Sequence, residues 1–499
     1  MKIILSFFFL ILLQDTHAQQ IFSDQEFTVT LGAPYEIPRG YIHLGGFGDT
    51  DTSLVQLIYK PGKNLIIQEF DSTLSIAKEA RIDISSFPPG IESQKVIRLG
   101  SNYFWLFRTV DRIKNNDIVW AQQIDIYGGK LAGKLTPLVI SSLILGEWEM
   151  RLSYEKTKLL IAYRLIHEYN LNKINHEKFV LCVVDQSLNV LSKKILKMPY
   201  TEEKLAIKDY LVDSKGNAYL LGKVYEYAND QYRNQLPNYH FELLKLKPAA
   251  DSLDIIPLKI KLNFYQHLVL KEQDNGRLFL AGFYSTQYMP DKSDGVFIAQ
   301  FNENADLTGY ETNFIEFPPE VLRQFKNDRV VKETKFLMVR QSNIMENGSI
   351  KFIGEVFYSR TNNSTTLYYG SVISLFINEK GVVRWTVIPK SQKGVNNRNS
   401  MSFRYYINEN EDYFFYADHI NNINLKTEDQ PEFYVDGRGG CLAYSKIDKK
   451  GNVSKALLFD FSKDEFVYRP AELRYIGENA MGGLASDGQS NRLILIKKR

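Results

Sequence analysis

The sequence predicts an all-β fold, a β-propeller of four-stranded antiparallel blades, on three observations. A turn followed by an apolar-aromatic strand and a glycine recurs along the 499 residues. Strand-like runs come in sets of four with a period of roughly 55 residues, the pattern of a repeated blade. The last set lacks its fourth strand, while a spare strand precedes the first set. The count that uses every run is eight blades, with seven as the alternative, and the ring is closed by the N-terminal strand.

The stretch "VDSKGNAYLLGKVYE", residues 212–226, shows the unit most clearly. Asp213, Gly216 and Asn217 supply turn chemistry, because Asp and Asn bond nearby backbone and Gly reaches positive φ freely. Tyr219, Leu220 and Leu221 favour a strand, and Gly222 lets another chain approach closely. Gly276 and Gly282 repeat the spacing in "NGRLFLAGFYS", as do Gly348 and Gly354 in "NGSIKFIGEVFYS". "SNYFWLFRTV", "TKLLIAYRLI" and "EDYFFYADH" keep the apolar run without the glycines.

The units follow in order, with strands named A to D from the channel outward. The spare strand "EFTVTLG" begins at Glu26. "GYIHLGG", "TSLVQLIYK", "NLIIQEFD" and "LSIAKEARIDI" form the first unit. Units then span 94–140, 148–200, 205–260, 263–316, 333–390 and 398–462. "AELRYIG", "AMGGLASDG" and "NRLILIKKR" give strands A to C of the last, and residues 26–31 are expected to add its outer strand. A solenoid would need shorter repeats and would not supply the spare strand. No Pro/Gly/Ser-rich linker or long helical periodicity interrupts the array, so residues 19–499 read as one propeller domain.

"VDSKGNAYLLG" resembles the signature of the bacterial secreted β-propeller repeat families, in which an Asp-x-x-Gly-Asn turn precedes an aromatic-apolar strand ending in Gly. The match is good over 212–222 and partial over 274–282 and 346–354. The resemblance implies scaffold and export, and it brings no catalytic residue with it.

Residues 1–18 read as a signal peptide: Lys2, an apolar run from Ile3 to Leu13, then small residues at Thr16 and Ala18. About 11 apolar residues are too few for a span of roughly 20. No later run is apolar for long enough, so no membrane span is expected, and the location is periplasmic or extracellular. The 31 Phe, 30 Tyr and 44% hydrophobic residues provide a large sheet core. A net charge of +3 with interspersed signs argues against nucleic acid. A monomer is expected. Cys182 and Cys441 sit in apolar strands of distant units, which favours two buried thiols over a disulfide, since a bridge needs Cα atoms within about 7 Å.

No Gly-x-Ser-x-Gly elbow, His-Glu-x-x-His helix or cofactor motif is present. His167 and His176 do not have the spacing of a common zinc site, and "GDTDTS" at Asp49 lacks the order of a calcium loop, reading instead as a hairpin turn. No metal is expected. No cofactor is implied and no catalytic residue is identified.

Two features point to a ligand. The long insertions fall between strands B and C, which places them on one face: "YEYANDQYRNQLPNYH", "STQYMPDKSD", "SRTNNSTTLYYG" and "HINNINLKTEDQPEFYVDGRGG". Their Tyr, Asn, Asp and Gln suit a glycan, peptide or protein partner. The strands A each carry a basic residue: His43, Arg98, Arg151, Lys208, Arg340, Arg404 and Arg474, with His267 or Lys271 in the remaining unit. Side-chain alternation lets these form a basic ring in the channel. The competing reading pairs each base with an acid, for which Glu149, Asp209 and Glu472 are near in sequence. Tyr232, Tyr239, Tyr284 and Tyr288 are expected to give flat contact surfaces, and Arg151, Arg340 and Arg404 to meet an anionic group. The expectation is an exported binding or scaffold protein. The alternative is a hydrolase or lyase acting on an acidic polysaccharide at the central channel.

Overall fold

The computed structural model describes residues 19–499 except 51–52, 112, 115, 143, 166–174, 228–229, 290, 302–309, 327, 332, 346, 363, 396–398, 409–410 and 427–428. Eight antiparallel blades follow one another around a propeller: 42–83, 91–141, 144–201, 205–258, 264–316, 337–388, 404–460, and a last blade from 474–498. The last blade takes its outer strand from Phe27–Leu31, which pairs antiparallel with Ser490–Lys498. The closure expected from the spare strand is what forms. A further strand, Gln20–Ser23, adds outside it, and Tyr35–Glu36 pairs with the other end of Ser490–Lys498.

The turn chemistry acts as its residues require. The Asp213 carboxylate accepts the backbone N–H of Lys215 at 3.0 Å and of Asn217 at 2.8 Å, and Gly216 takes φ +86°. The same cage recurs at Asp448 with Asn452 and at Asp185 with Asn189. Gly354 is held by close approach: a Cβ there would lie 2.5 Å from the Phe283 ring of the preceding blade.

Among the described residues the core is eight apolar clusters, one at each seam between adjacent blades. At the seam of blades 4 and 5, Leu221, Phe241 and Leu243 meet Leu270, Leu280 and Phe297. Strand alternation makes this possible, because each sheet is apolar on both faces and buries one against each neighbour.

Three features depart from the expected layout. "SRTNNSTTLYYG" is a ribbon and not a loop, since strands Ile350–Thr361 and Thr365–Ile377 of blade 6 stay paired out to Thr361 and Thr365. Gln392–Gly394 then joins this sheet and pairs in parallel with Tyr434–Val435 from the B–C insertion of blade 7. A helix, Pro319–Phe325, follows blade 5 and buries Val321 and Phe325. No helix of the described residues is long and apolar enough to cross a membrane.

Cys182 and Cys441 are both free and buried, in blades 3 and 7, four blades apart. Burial pushes their thiols up to about 11 and about 12. Thr50 and Ser53 pair across the "GDTDTS" hairpin. Residues 51–52, His167 and residues 1–18 lie outside the described residues.

Candidate functional site

The B–C insertions of blades 4 and 5 meet over the seam between those blades. In blade 4, Asn234 and Gln235 take φ of +50° and +64°, which folds Tyr232–Arg233 back on Leu236–Pro237. Asn238, buried, donates to the carbonyls of Tyr227 and Asp230 and pins the base of this loop. In blade 5 the Asp294 carboxylate accepts the Thr286 N–H and hydroxyl, and Thr334 donates to the Ser293 carbonyl. The loops touch through Tyr232 and Tyr288, whose rings stack at 4.0 Å, with Phe264 5.4 Å from Tyr288.

Beside this contact lies a cleft of about 410 Å³ whose polar lining includes Lys208, Lys223, Gln231, Gln266, His267 and Asp291. Lys223 is the buried cation of its lining. It sits on strand B of blade 4 (Ala218–Tyr225), only 6% exposed, in a strand buried along its whole length. Its ammonium lies 3.5 Å from the Tyr239 ring centroid and 5.2 Å from that of Tyr225. It donates to Gln231 Oε1 at 2.6 Å, and Gln231 Nε2 donates to the Tyr225 hydroxyl at 2.8 Å. No carboxylate faces it among the described residues. Burial, and then the charge of Lys208, pull its pKa down to about 7.

Bulges in the strands A aim the neighbouring cations. Lys208 stands unpaired between Ile207 and Asp209, His267 between Gln266 and Val269 at φ +48°, and Arg340 between Val339 and Gln341. A bulge bends a strand and redirects a side chain. The surrounding strands strip bulk water from Lys208 and His267 although both keep solvent contact, and this lowers both pKa values. For His267, Asp291 opposes the fall, while Arg340 and Lys208 add to it. Asp291 is the cleft's one carboxylate among the described residues.

The basic residues of the strands A do not lie at one height. Arg98 sits opposite Tyr103 and Arg151 opposite Leu160, both toward the A–B turns and away from the B–C loops. Arg98 donates to the Gly100 carbonyl. Arg151 pairs with Glu149 at 2.7 Å and Asp209 at 3.5 Å. Arg340 is held by Glu355 at 2.6 Å, and Glu355 also binds Lys390, both fully buried. Lys271 lines a separate cavity on the Arg151 side. Arg404 and Arg474 stand opposite Phe415 and Gly482 in blades 7 and 8, and line another cavity with His43.

Of the four tyrosines, Tyr232 and Tyr288 are exposed at the rim and Tyr239 forms a cleft wall. Tyr284, 2% exposed, faces Phe314 inside the seam core and offers no contact surface. Lys223, Gln231 and Asp291 were not among the residues expected from sequence. For Lys223 the signal was present: one lysine inside the buried run "LLGKVYE" of a central strand. His176 Nδ1 donates to the Met198 carbonyl at 2.9 Å, within a strand pair. No group of metal-ligating side chains occurs among the described residues.

No family model matches the chain, and no curated protein matches it in sequence. The WD40 domain of SCAP from fission yeast is similar in structure over 94% of this chain and 98% of that one, at 8% identity and a TM-score of 0.39. Prolyl oligopeptidase B from Galerina marginata is similar over 91% of this chain and 55% of that one, at 8% identity and a TM-score of 0.40. A protein of unknown function from Bacteroides caccae is similar over 69% and 92%, at 13% identity and a TM-score of 0.28. At these scores the likenesses carry no argument about function.

Proposed function

We propose that the chain is an exported β-propeller binding protein that recognises an acidic saccharide at the cleft between blades 4 and 5. The observation that carries this is Lys223: a buried ammonium among tyrosine rings, lining one cleft with Lys208 and His267, with no ion pair to a carboxylate among the described residues. A buried charge left unpaired is costly, and a ligand carboxylate would pair it. Tyr239 at the wall and Tyr288 at the rim offer rings on which a sugar can stack, and Gln231 and Gln266 offer hydrogen bonds. Glycoside hydrolysis uses two carboxyl groups, and the described cleft lining has only Asp291, which favours binding over that chemistry.

Calorimetry with an oligogalacturonide and a neutral oligosaccharide of equal length tests the reading. The acidic chain should bind and the neutral one should not. Lys223→Met should weaken the acidic chain by about 1.5 to 3 kcal/mol, the usual worth of a hydrogen bond to a charged group, or roughly ten- to a hundredfold. Burial and the charge of Lys208 bring the Lys223 pKa down to about 7, so affinity is expected to fall as pH rises through that value, because the amine loses the charge that attracts the carboxylate. Equal binding of both saccharides, or an unaltered Lys223→Met, would sink the proposal. An unsaturated uronate product, seen as new ultraviolet absorbance, would replace binding by an eliminating lyase.

Export is part of the same reading. It is supported by the Ile3–Leu13 run and by Thr16 and Ala18, and by the likeness of "VDSKGNAYLLG" to secreted bacterial propeller repeats. N-terminal sequencing of the protein recovered from a bacterial periplasm or medium should begin at Gln19. Recovery of the uncleaved chain from the cytoplasm would refute it.

A further inference from the structure

The cavity holding Arg404 and Arg474 lies at the seam of blades 8 and 1, four blades from Lys223 on the eight-blade ring. It has a volume of about 520 Å³, and its polar lining includes His43, Gln56, Arg404, Glu472 and Arg474. Three elements deliver the cations. Arg404 opens strand A of blade 7 (Arg404–Asn408), Arg474 opens the two-residue strand A of blade 8, and His43 is the second residue of strand A of blade 1 (Ile42–Thr50).

The charge of Arg404 is poorly compensated. Arg404 has no ion pair among the described residues, and its Nε is enclosed without a hydrogen-bond acceptor. Its guanidinium rests 5.0 Å from the Tyr475 ring centroid, which supports the cation without neutralising it. Burial lowers the Arg404 pKa, and Arg474 lowers it further. His43 feels the same field: burial first, then Arg474 and Arg469, push its imidazole down to about 4, against a hydrogen bond with Gln56. Glu472 is the one carboxylate in the cavity lining among the described residues, and it acts on Arg474. Two guanidiniums against one carboxylate in a partly dry pocket leave a site that an oxyanion would complete, and the guanidinium fork matches such an anion in geometry.

We propose that this cavity is an oxyanion-binding site in which Arg404 and Arg474 hold a carboxylate or a sulfate, independently of the cleft at Lys223. The two anions share the chemistry of charged oxygens set against planar N–H donors. They differ in shape, since a carboxylate is planar and a sulfate tetrahedral. The inference rests on its own residues, and failure of the Lys223 reading leaves it standing.

The test uses the full chain labelled with ¹⁵N-histidine, with the His43 resonance identified by its loss in His43→Gln. Sodium acetate and sodium sulfate are titrated separately at constant ionic strength, balanced with sodium chloride. A saturable shift of the His43 resonance is expected with at least one of the two anions, and the tighter one names the ligand class. The His43 titration midpoint should also rise in the saturated protein, because a neighbouring anion stabilises the imidazolium. Arg404→Ala should weaken the anion roughly tenfold or more, as expected for loss of a charge-assisted bond. Arg474→Gln, at an exposed side chain, should weaken it likewise and serves if Arg404→Ala does not fold. Lys223→Met should leave the His43 response unchanged. No saturable shift with either anion, or undiminished affinity in both arginine variants, would overturn the proposal.

Discussion

Phe27→Ala is expected to destabilise the propeller by about 3 to 5 kcal/mol, the cost of emptying a core phenylalanine site. The Phe27 side chain is 1% exposed and lies within 5.0 to 5.2 Å, ring to ring, of Tyr413, Phe415 and Tyr444 in blade 7. One residue from the spare strand thus welds blade 8 to blade 7. Deleting residues 19–31 should do more, because it also bares the edge of Ser490–Lys498 and invites pairing with other molecules. Urea denaturation and light scattering measure the two effects. Midpoints and solubility equal to the intact chain would mean that the ring holds without this strand.

The same strand sets an acid limit. Burial would raise the Glu26 carboxyl, but the ammonium groups of Lys446 and Lys498 outweigh it and hold the pKa at about 2. A folded pKa below the unfolded value of 4.5 means stability fully present above that value and lost as pH falls toward 2. Closure should therefore weaken within that window. Glu26→Gln should flatten the loss.

The second large effect is expected at Glu355. This carboxylate, 0% exposed, receives Lys390 at 2.7 Å, Arg340 at 2.6 Å and the Ser402 hydroxyl at 2.7 Å. Lys390 is itself 0% exposed. Glu355→Ala leaves a buried ammonium unpaired, which costs about 3 to 5 kcal/mol at neutral pH. The deficit should shrink as pH rises, because burial lowers the Lys390 pKa and the variant escapes the penalty by shedding that proton. Glu355→Leu with Lys390→Met should recover most of the loss, since apolar groups of similar volume replace such pairs at little cost. A single variant as stable as the parent at neutral pH would show that the pair adds nothing. In function, the network holds the charge of Arg340 inside the fold, whereas Lys208, Lys223 and Arg404 have no ion pair among the described residues.

Much of the fold was legible because its signals are local. Asp213, Gly216 and Asn217 fix a turn through bonds to their own neighbours, and a strand buried on both faces shows as an unbroken apolar run such as "AYLLG". The eight-blade count came from adding strands, and the unpaired one at Glu26 had a single place to go. Extra pieces were less visible. Gln20–Ser23 and Gln392–Gly394 are four and three residues long, too short to show a strand pattern, and they become strands only because an open edge lies beside them.

The site was legible only in part. The tyrosines of the B–C loops and the bases of the strands A were visible as residue types, and Tyr239 and Tyr288 line one cleft with Lys208 while Tyr232 stacks on Tyr288. The sequence by itself determined the repeat, the turns and the face that carries the long loops, since each depends on neighbours in the chain, while the choice of eight blades over seven was decided by the ring itself. Which cation stays unpaired was decided by the tertiary structure alone. Arg340 and Glu355 lie 15 residues apart, Lys390 reaches the same carboxylate from beyond the blade, and Lys223 is left uncompensated because the described residues packed around it bring tyrosine rings and no ion pair. Charge compensation acts through space over a few ångströms, and only the packing of distant segments fixes which groups come that close.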